Sequence, residues 1–324
     1  PERHRPVEPA PTRATSAEPS HPDARLTLPR PTDPHPDDHG RPHERSGLAS
    51  GRIDIRRNVA KGTKVSNFKV RGVSIYGGSH DEALRLLARK AQDRESFRVH
   101  LVNSYSLALL GKDPAFAEAA RTSDLNLPDG APVAWVGSLR HRELHVRPFR
   151  GPDLMARCLS EARTWDAGHY FLGGSESGQD RLRQRILADF PGTRIVGMDS
   201  PWSQDMQSPT MASAARRAAE SGAHFVWVGL GTPKQDKFMH YNSHLIPSPI
   251  LGVGAALDFQ AGTVRTAPPW AHGRGVEWLF RLASEPRRLA RRYLLDSPTV
   301  LVDLASAAQA RAREDLNRKR RNSR

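Results

Sequence analysis

The sequence has little of several features that define whole classes of protein. Its 324 residues include one cysteine, Cys158, so an intrachain disulfide framework is excluded and no cysteine-based metal site is indicated. It contains no run of about 18 apolar residues, so no segment is predicted to span a bilayer. Hydrophobic residues make up only 37% of the chain, which indicates a sizeable polar segment outside any core.

Acidic residues are too few to balance the basic ones. The 49 Lys and Arg residues against 35 Asp and Glu give a formal net charge of +14. A chain of this charge is expected to have anionic partners, such as a nucleotide, a phosphate group, nucleic acid or an acidic membrane surface.

The composition changes along the chain. Residues 1–50 hold eleven of the 26 prolines and no Phe, Tyr, Trp or Ile, so they are predicted to form a disordered arm. Residues 51–268 are predicted to form an α/β core. Residues 269–310 are interpreted as a basic C-terminal helical appendage, and residues 311–324 as a disordered basic tail.

Short apolar runs in the core recur at strand–helix–strand spacing, around Phe171, Ile195, Phe225 and Ile250. This spacing predicts an α/β fold with one doubly wound, mostly parallel, Rossmann-like sheet. Upstream, Phe68–Tyr76 alternates like a single strand that ends at Gly77 and Gly78.

The stretch after Phe225 indicates a ligand-binding turn. A buried strand is predicted to lead into Gly229 and Gly231, and Thr232-Pro233 to begin a helix, with Thr as its cap and Pro in its first turn. Lys234 and Gln235 would then lie in the first turn, where one can meet a phosphate and the other a sugar hydroxyl or base edge. Such a turn is structural as often as it is functional.

Several blocks together carry a family resemblance. The segments VGLGTPKQDKF, GVGAALDFQAGTVRTAP and GVEWLFRLASEPRRLARRYL, with Val102-Asn103 and Leu127-Pro128-Asp129-Gly130 upstream in the same order, resemble the WecG/TagA/CpsF family, glycosyltransferase family 26. The resemblance covers roughly residues 68–301. It implies transfer of a sugar from a nucleotide donor to a polyprenyl-diphosphate-linked sugar at a membrane.

Asn103 and Asp129 each follow a predicted strand. Capping statistics alone favour Asn103 as a helix cap, whereas the resemblance places it in the active site. The family often has Thr where this chain has Leu101, so one polar contact is missing or supplied elsewhere. Asp129 lies in a Pro-Asp-Gly sequence that is also an ordinary turn signature. It matches the family's proposed catalytic base, which would take the proton from the acceptor hydroxyl.

Other residues are predicted to contact substrates. The resemblance implies a site arginine just ahead of Gly151-Pro152-Asp153, and this chain offers both Arg147 and Arg150. For two further groups, ligand binding and a purely structural role are both open. The turn at Gly173 and Gly174 can bind a diphosphate, or its glycines can serve only tight packing. Asp258 can be a second carboxylate of the site, or it can cap the amides of 254–256.

The C-terminal region concentrates positive charge. Residues 271–324 carry 13 Arg or Lys against 6 Asp or Glu. Spaced at about 100° per residue, Arg281, Arg288 and Arg292 fall in one arc, with Arg291 beside it. These arginines are expected to bind the donor's diphosphate while the basic face contacts anionic lipid, although a solvated basic face is the simpler alternative.

The resulting hypothesis is an inverting, metal-independent glycosyltransferase with no cofactor, peripheral on the cytoplasmic face of the cell membrane. One candidate carboxylate rather than a nucleophile pair predicts inversion. No Asp-x-Asp pair, with which many sugar-nucleotide enzymes hold Mg²⁺ or Mn²⁺, occurs in the sequence. Homo-oligomerisation is left open.

The donor is expected to be a UDP-sugar of the N-acetylmannosamine type, with its uronic acid and glucose also compatible. The acceptor is expected to be a polyprenyl-diphosphate-linked GlcNAc-type sugar. A nucleic-acid-binding protein is disfavoured because the charge is concentrated in the tails. An NAD-dependent oxidoreductase is disfavoured because G-x-G-x-x-G with a following ribose-binding acid is missing.

Overall fold

The computed structural model describes residues 67–141, 143–264, 280, 282–283 and 297–322. All of these belong to one unit of the chain, Asp54–Arg324. The arm predicted for residues 1–50 and most of the appendage predicted for 269–310 lie outside the described residues, so the predicted domain boundaries stay predictions.

The described part contains eight strands and ten helices of more than one turn. The strands are β1 (Asn67–Val70), β2 (Val73–Tyr76), β3 (Phe97–Val102), β4 (Leu125–Pro128), β5 (Gly168–Gly173), β6 (Arg194–Asp199), β7 (Phe225–Gly229) and β8 (Pro249–Gly252). The helices are α1 (His80–Gln92), α2 (Ser104–Leu109), α3 (Pro114–Arg121), α4 (Ala131–Arg140), α5 (Gly151–Ala162), α6 (Glu176–Asp189), α7 (Pro209–Glu220), α8 (Lys234–Asn242), α9 (Ala256–Ala261) and α10 (Val300–Asn322).

Six strands form one parallel sheet in the order β4-β3-β8-β7-β5-β6, with every neighbouring pair parallel. The chain winds outward to β4 on one side and to β6 on the other, which leaves β8 and β7 in the centre. The prediction of a doubly wound parallel α/β sheet is therefore confirmed. Because all six strands run the same way, their carboxyl ends form one edge, where proteins of this type bind ligands.

The sheet is buried on both faces, as the side chains of β7 show by pointing alternately to one face and the other. Phe225 and Trp227 project into one apolar cluster with α1, α5, α6 and α9, whereas Val226 and Val228 project into another with α7 and α8. A run of consecutive apolar residues is the expected pattern for a strand covered on both sides. A third cluster joins the β1–β2 pair to α2, α3, α4 and α10.

The segment Phe68–Tyr76 is a hairpin, and the prediction of one strand ending at Gly77 and Gly78 was wrong. The chain reverses at Arg71 and Gly72, which have φ of 49° and 81°, so that Asn67 pairs with Tyr76 in antiparallel register. Two consecutive residues with positive φ are the mark of a two-residue hairpin turn. The buried positions shift from Phe68 and Val70 to Val73 and Ile75, so the alternation changes phase at the turn, a break that the prediction of one strand overlooked.

The C-terminal helix α10 is held to the core through the hairpin tip. Arg71 donates hydrogen bonds to the Asp303 carboxylate at 3.2 Å, to the Thr299 carbonyl at 3.0 Å and to the Leu107 carbonyl at 3.2 Å. The helix continues to Asn322, so the disorder predicted from residue 311 is not what the structure shows there. Residues 311–319 are rich in Ala, Arg, Glu, Leu and Lys, all strong helix formers. Among the described residues, no helix has the length and apolar character needed to cross a membrane.

Two glycines at the end of β5 allow a paired test of packing against conformation. Gly173 has φ of 120°, and a Cβ there would lie 2.8 Å from the backbone carbonyl of Gly229; Gly174 has φ of 78° and open space. We expect Gly173→Ala to lower the free energy of unfolding by about 3 kcal/mol, since strain and a backbone clash combine. Gly174→Ala, the control, is expected to cost about 1 kcal/mol. Chemical denaturation of both variants checks this, and equal losses would contradict the packing role.

His169 on β5 is a buried imidazole, and among the described residues its immediate contacts include no counter-charge. It is 1% exposed, stacks on Phe225 with ring centroids 5.3 Å apart, and accepts a hydrogen bond at Nδ1 from Trp227 Nε1 at 3.1 Å. Burial lowers the pKa of His169 from 6.5 to about 3.

This depressed pKa predicts loss of stability in acid. The unfolded chain takes up a proton on His169 below its ordinary pKa of 6.5, while the folded chain does so only near 3, so stability is lost as pH falls between these values. From pH 6.5 to about pH 5, the contribution lost is about 2 kcal/mol. Denaturation across this range should give a shallower pH dependence for His169→Leu than for the parent; identical slopes would refute the assignment.

Candidate active site

Asp129 is fixed by backbone contacts on both sides. It directly follows β4, and its amide donates to the Val102 carbonyl at 2.8 Å, which extends the pairing with β3 by one residue. On its other side it forms a parallel bridge with Phe149, whose amide donates to the Pro128 carbonyl at 2.7 Å. Gly130 then turns the chain into α4 with φ of 84°. The carboxylate, which is partly exposed, therefore projects from a rigid backbone at the carboxyl edge of the sheet.

Asn103 combines the two roles that the sequence left as alternatives. Its Oδ1 accepts from the Ser106 amide at 3.1 Å and so caps α2. Its Nδ2 donates to Asp129 Oδ2 at 3.2 Å. The residue is a helix cap and also the direct neighbour of the candidate base, because β3 and β4 are adjacent and in register. Leu101, where the family often has Thr, is buried among α1, α5 and α9, and its aliphatic side chain has no polar group to offer this pair.

The segment 147–150 runs beside Asp129 and carries both candidate arginines. Arg150 donates two hydrogen bonds to Asp153, at 3.0 and 3.1 Å, so its guanidinium is engaged at the start of α5. Arg147 is exposed. His80 hydrogen-bonds the backbone of Arg147 and packs against Phe149 in a tilted arrangement, with ring centroids 4.0 Å apart, and its burial lowers its pKa. The choice between the two arginines as a substrate ligand stays a prediction, and the pairing with Asp153 favours Arg147.

The four glycines proposed to line the site have different surroundings. Gly173 and Gly229 face each other across β5 and β7, and a Cβ on Gly229 would lie 2.5 Å from the side chain of Leu257. Packing alone therefore requires these two. Gly174 and Gly231 have φ of 78° and 74° with open space where a Cβ would project. A ligand can approach the backbone more readily at Gly174 and Gly231, although ligand binding by any of the four stays a prediction.

The turn after β7 differs in detail from its prediction. Pro233 rather than Thr232 is the N-cap residue of α8, and it makes no side-chain capping hydrogen bond. The peptide bond between them is cis, a conformation largely confined to bonds preceding proline. Lys234 and Gln235 lie in the first turn as predicted; Lys234 is exposed and Gln235 is buried.

The Gln235 amide lies over the carboxyl end of β8. A Cβ on Gly252 would lie 3.1 Å from Gln235 Nε2, and one on Gly254 would lie 3.6 Å from Gln235 Oε1. Gln235 is only 3% exposed, and within the described part of the chain its Oε1 has no hydrogen-bond partner. Along the edge, the strand order therefore places Asp129 after β4, Asn103 after β3 and the Gln235 amide over β8.

The remaining predicted residues are distributed as follows. Asp258 lies in the first turn of α9, two positions inside the helix rather than at its cap. Its role as a second site carboxylate stays a prediction. The four arginines assigned to the donor diphosphate lie outside the described residues: Arg281, Arg288, Arg291 and Arg292. Within the described ranges, no three His, Cys, Asp or Glu side chains form a group able to hold a metal ion.

One polar pair near the site was missed in the sequence. His100 on β3 and Asp236 on α8 are 1% and 2% exposed, and their Nδ1 and Oδ1 atoms are 2.8 Å apart. They are 136 residues apart, and each alone is unremarkable, a single polar residue within an apolar strand or helix. The only sign of this pair in the sequence is that His100 is a polar residue at the centre of a strand predicted to be buried.

The fold is that of a doubly wound α/β protein, and a row of polar groups lies along the carboxyl edge of its sheet. Residues 68–314 match the Glycosyl transferase WecG/TagA/CpsF family, and the chain belongs to that family. It is therefore a glycosyltransferase, the class preferred from the sequence over a nucleic-acid-binding protein and an oxidoreductase.

Two relatives share the same printed name, N-acetylglucosaminyldiphosphoundecaprenol N-acetyl-beta-D-mannosaminyltransferase. The chain is 30% identical to the protein of Bacillus spizizenii strain W23 over 181 residues, which cover 56% of this chain and 68% of the relative. It is 28% identical to the protein of Bacillus subtilis strain 168, with the same coverage of both chains.

The two roles of Asn103 can be separated by substitution. Serine is a good helix cap but is too short to reach Asp129, so Asn103→Ser should keep the thermal unfolding midpoint close to that of the parent while sugar transfer slows at least about tenfold. Asn103→Ala, the matched variant without a cap, should lose about 1 kcal/mol of stability in addition. Thermal unfolding and initial rates of transfer check this. Parent-like transfer by Asn103→Ser would confine the residue to capping.

Proposed function

We propose that this glycosyltransferase moves an N-acetylmannosamine-type sugar from a UDP-sugar to a polyprenyl-diphosphate-linked GlcNAc-type acceptor, with inversion and without a metal ion. The printed name of the two relatives supports the sugar and the acceptor class. Transfer of the uronic acid of N-acetylmannosamine, or of glucose, by the same mechanism is the alternative for the donor.

The observation that carries the mechanism is the Asn103–Asp129 pair at the carboxyl edge of the sheet. Asp129 has a fixed backbone, a partly exposed carboxylate and a neutral hydrogen-bond donor that orients it. In the proposed step, the carboxylate takes the proton of the acceptor hydroxyl as that oxygen attacks the anomeric carbon. The bond between the anomeric carbon and UDP breaks at the same time, and UDP leaves with the electron pair. A single displacement inverts the anomeric centre.

We infer that groups on two loops hold the donor. Lys234 is exposed in the first turn of α8, and Gly231 before it leaves its backbone open to approach. A helix N-terminus with a lysine favours an anionic group such as a diphosphate. Gln235 is proposed to contact the donor or acceptor through its amide, and Arg147 to contact a phosphate from the opposite side of Asp129.

The C-terminal arginines are proposed to complete the diphosphate site and to contact anionic lipid. Arg281, Arg288, Arg291 and Arg292 supply enough positive charge for this in the absence of an Asp-x-Asp pair. The same basic region supports a peripheral position on the cytoplasmic membrane face, since each basic residue near an anionic surface contributes about 1 kcal/mol. Homo-oligomerisation remains a hypothesis.

Removal of the proposed base tests the mechanism. Asp129→Asn keeps the shape of the side chain and an oxygen that accepts from Asn103, but it removes the proton acceptor. We expect turnover to fall about 10²- to 10⁴-fold while the affinity for UDP changes little. Initial rates with a panel of UDP-sugars and a lipid-diphosphate-GlcNAc analogue measure turnover and identify the donor.

Asp189→Asn is the matched control for that variant. Asp189 ends α6, which starts at the carboxyl edge and runs away from it, and its exposed carboxylate accepts from Gln260 at 2.8 Å. Transfer by this control should equal that of the parent. If Asp129→Asn also transfers at the parental rate, Asp129 is not the base.

A further inference from the structure

The buried His100–Asp236 pair is polar, lies next to the proposed site and is not used by the proposed mechanism. A carboxylate oxygen can only accept, so Nδ1 of His100 carries the hydrogen that bonds to Asp236 Oδ1 at 2.8 Å. Within the described residues, His100 Nε2 and Asp236 Oδ2 have no hydrogen-bond partner. Burial of a charged or polar pair with unsatisfied atoms is costly, and apolar side chains of similar volume would fill this space at least as stably. Core stability alone therefore does not account for the pair.

Its position relates it to Gln235. His100 on β3 is the register partner of Gly252 on β8, and partners in parallel strands project from the same face of the sheet. The space over Gly252 is occupied by the Gln235 amide and the Met239 methyl, 3.1 and 2.7 Å from the position of a Cβ. The first turn of α8 thus makes two adjacent contacts with the sheet: Asp236 with His100 on β3, and Gln235 with Gly252 on β8.

Consecutive helix residues project about 100° apart, so one fixed side chain determines the direction of the next. Rotation of α8 by one residue would move the Gln235 amide away from the carboxyl edge. The Asp236–His100 hydrogen bond opposes that rotation from beneath the helix. A second polar contact of α8 lies on its outer side, where Lys237 pairs with Asp113 of the α3 cap at 2.7 Å, both side chains being partly exposed. That contact joins α8 to a helix and does not reach the sheet.

We propose that His100 and Asp236 are positioning residues for sugar transfer, which set the rotation of α8 and thereby direct the Gln235 amide at the bound substrate. The inference rests on the proposed function, because it takes Gln235 to contact the donor or acceptor. Neither residue touches the reacting atoms; both act through Gln235.

A double-mutant cycle in the full chain tests this. Asp236→Ala removes the bond, and we expect kcat/KM for the UDP-sugar to fall about tenfold or more, since small misplacements of a substrate contact are costly. Asp236→Asn retains an oxygen that accepts from Nδ1 and should restore kcat/KM to within about threefold of the parent. In a Gln235→Ala background, Asp236→Ala should cause no further loss beyond about twofold, because the residue it positions is gone. Rates are measured below the lowest unfolding midpoint of the set.

Two further variants keep the result interpretable. His100→Phe keeps a planar ring in this space without the hydrogen bond and replaces Asp236→Ala in the cycle if that variant does not fold; the same dependence on Gln235 is expected. Lys237→Met breaks the outer contact of the same helix and should leave kcat/KM unchanged. An equal loss with Lys237→Met, or independent losses in the Gln235→Ala background, would overturn the proposal.

Failure of this inference is distinguishable from failure of the proposed function. Parental kinetics of Gln235→Ala together with an inactive Asp129→Asn would refute the positioning role and leave the proposed base in place. Parental turnover by Asp129→Asn would instead refute the mechanism.

Discussion

Parallel pairing of β3 with β4 on one side and β8 on the other is the constraint on which the site depends. Register with β4 brings the residue after Val102 beside the residue after Pro128, and so joins Asn103 to Asp129. Register with β8 places His100 beside Gly252, under the first turn of α8. Because parallel strands require a crossover between them, each strand end is followed by a turn and then a helix. The polar groups of the site are therefore contributed by segments far apart in sequence, on a backbone that is held from both sides.

Close approach of the central strands imposes a second constraint. The backbone at Gly229 lies where a side chain on Gly173 would project, and Leu257 lies where one on Gly229 would project. A glycine-rich strand end is commonly interpreted as a phosphate site. At Gly173 and Gly229, steric exclusion by neighbouring backbone and side chains explains the residue type without a ligand. Gly174 and Gly231 are different, since glycine is favoured there by the positive φ of the backbone and not by close packing. The open space around them leaves room for a bound group.

The sequence was informative where a local pattern and the topology agree. Strands with two buried faces follow from continuous apolar runs, and residues directly after such strands must meet at the carboxyl edge, so Asn103 and Asp129 could be predicted as neighbours. The hairpin at Arg71 was missed although the buried positions change phase across its two-residue turn, from Val70 to Val73. The helix beyond residue 310 was missed because charge density was given more weight than the helix propensity of the same residues. His100 and Asp236 were not predictable as partners, since only the crossing of α8 over β3 brings them together.

The geometry of Asn103 also shows why an amide suits this position. Its Oδ1 is engaged by the Ser106 amide and is also within 3.3 Å of the Ser106 hydroxyl, so the side-chain amide cannot turn over without losing the cap of α2. The cap therefore fixes Nδ2 toward Asp129, and capping and orientation are one arrangement rather than two competing functions. A neutral donor orients the carboxylate while leaving it the full negative charge that a proton acceptor needs. A lysine or arginine in the same place would bind the carboxylate more strongly and compete with the acceptor hydroxyl for it. If Asp129 is the base that we propose, a capped asparagine meets both requirements, since it holds the carboxylate in place and leaves it able to accept a proton.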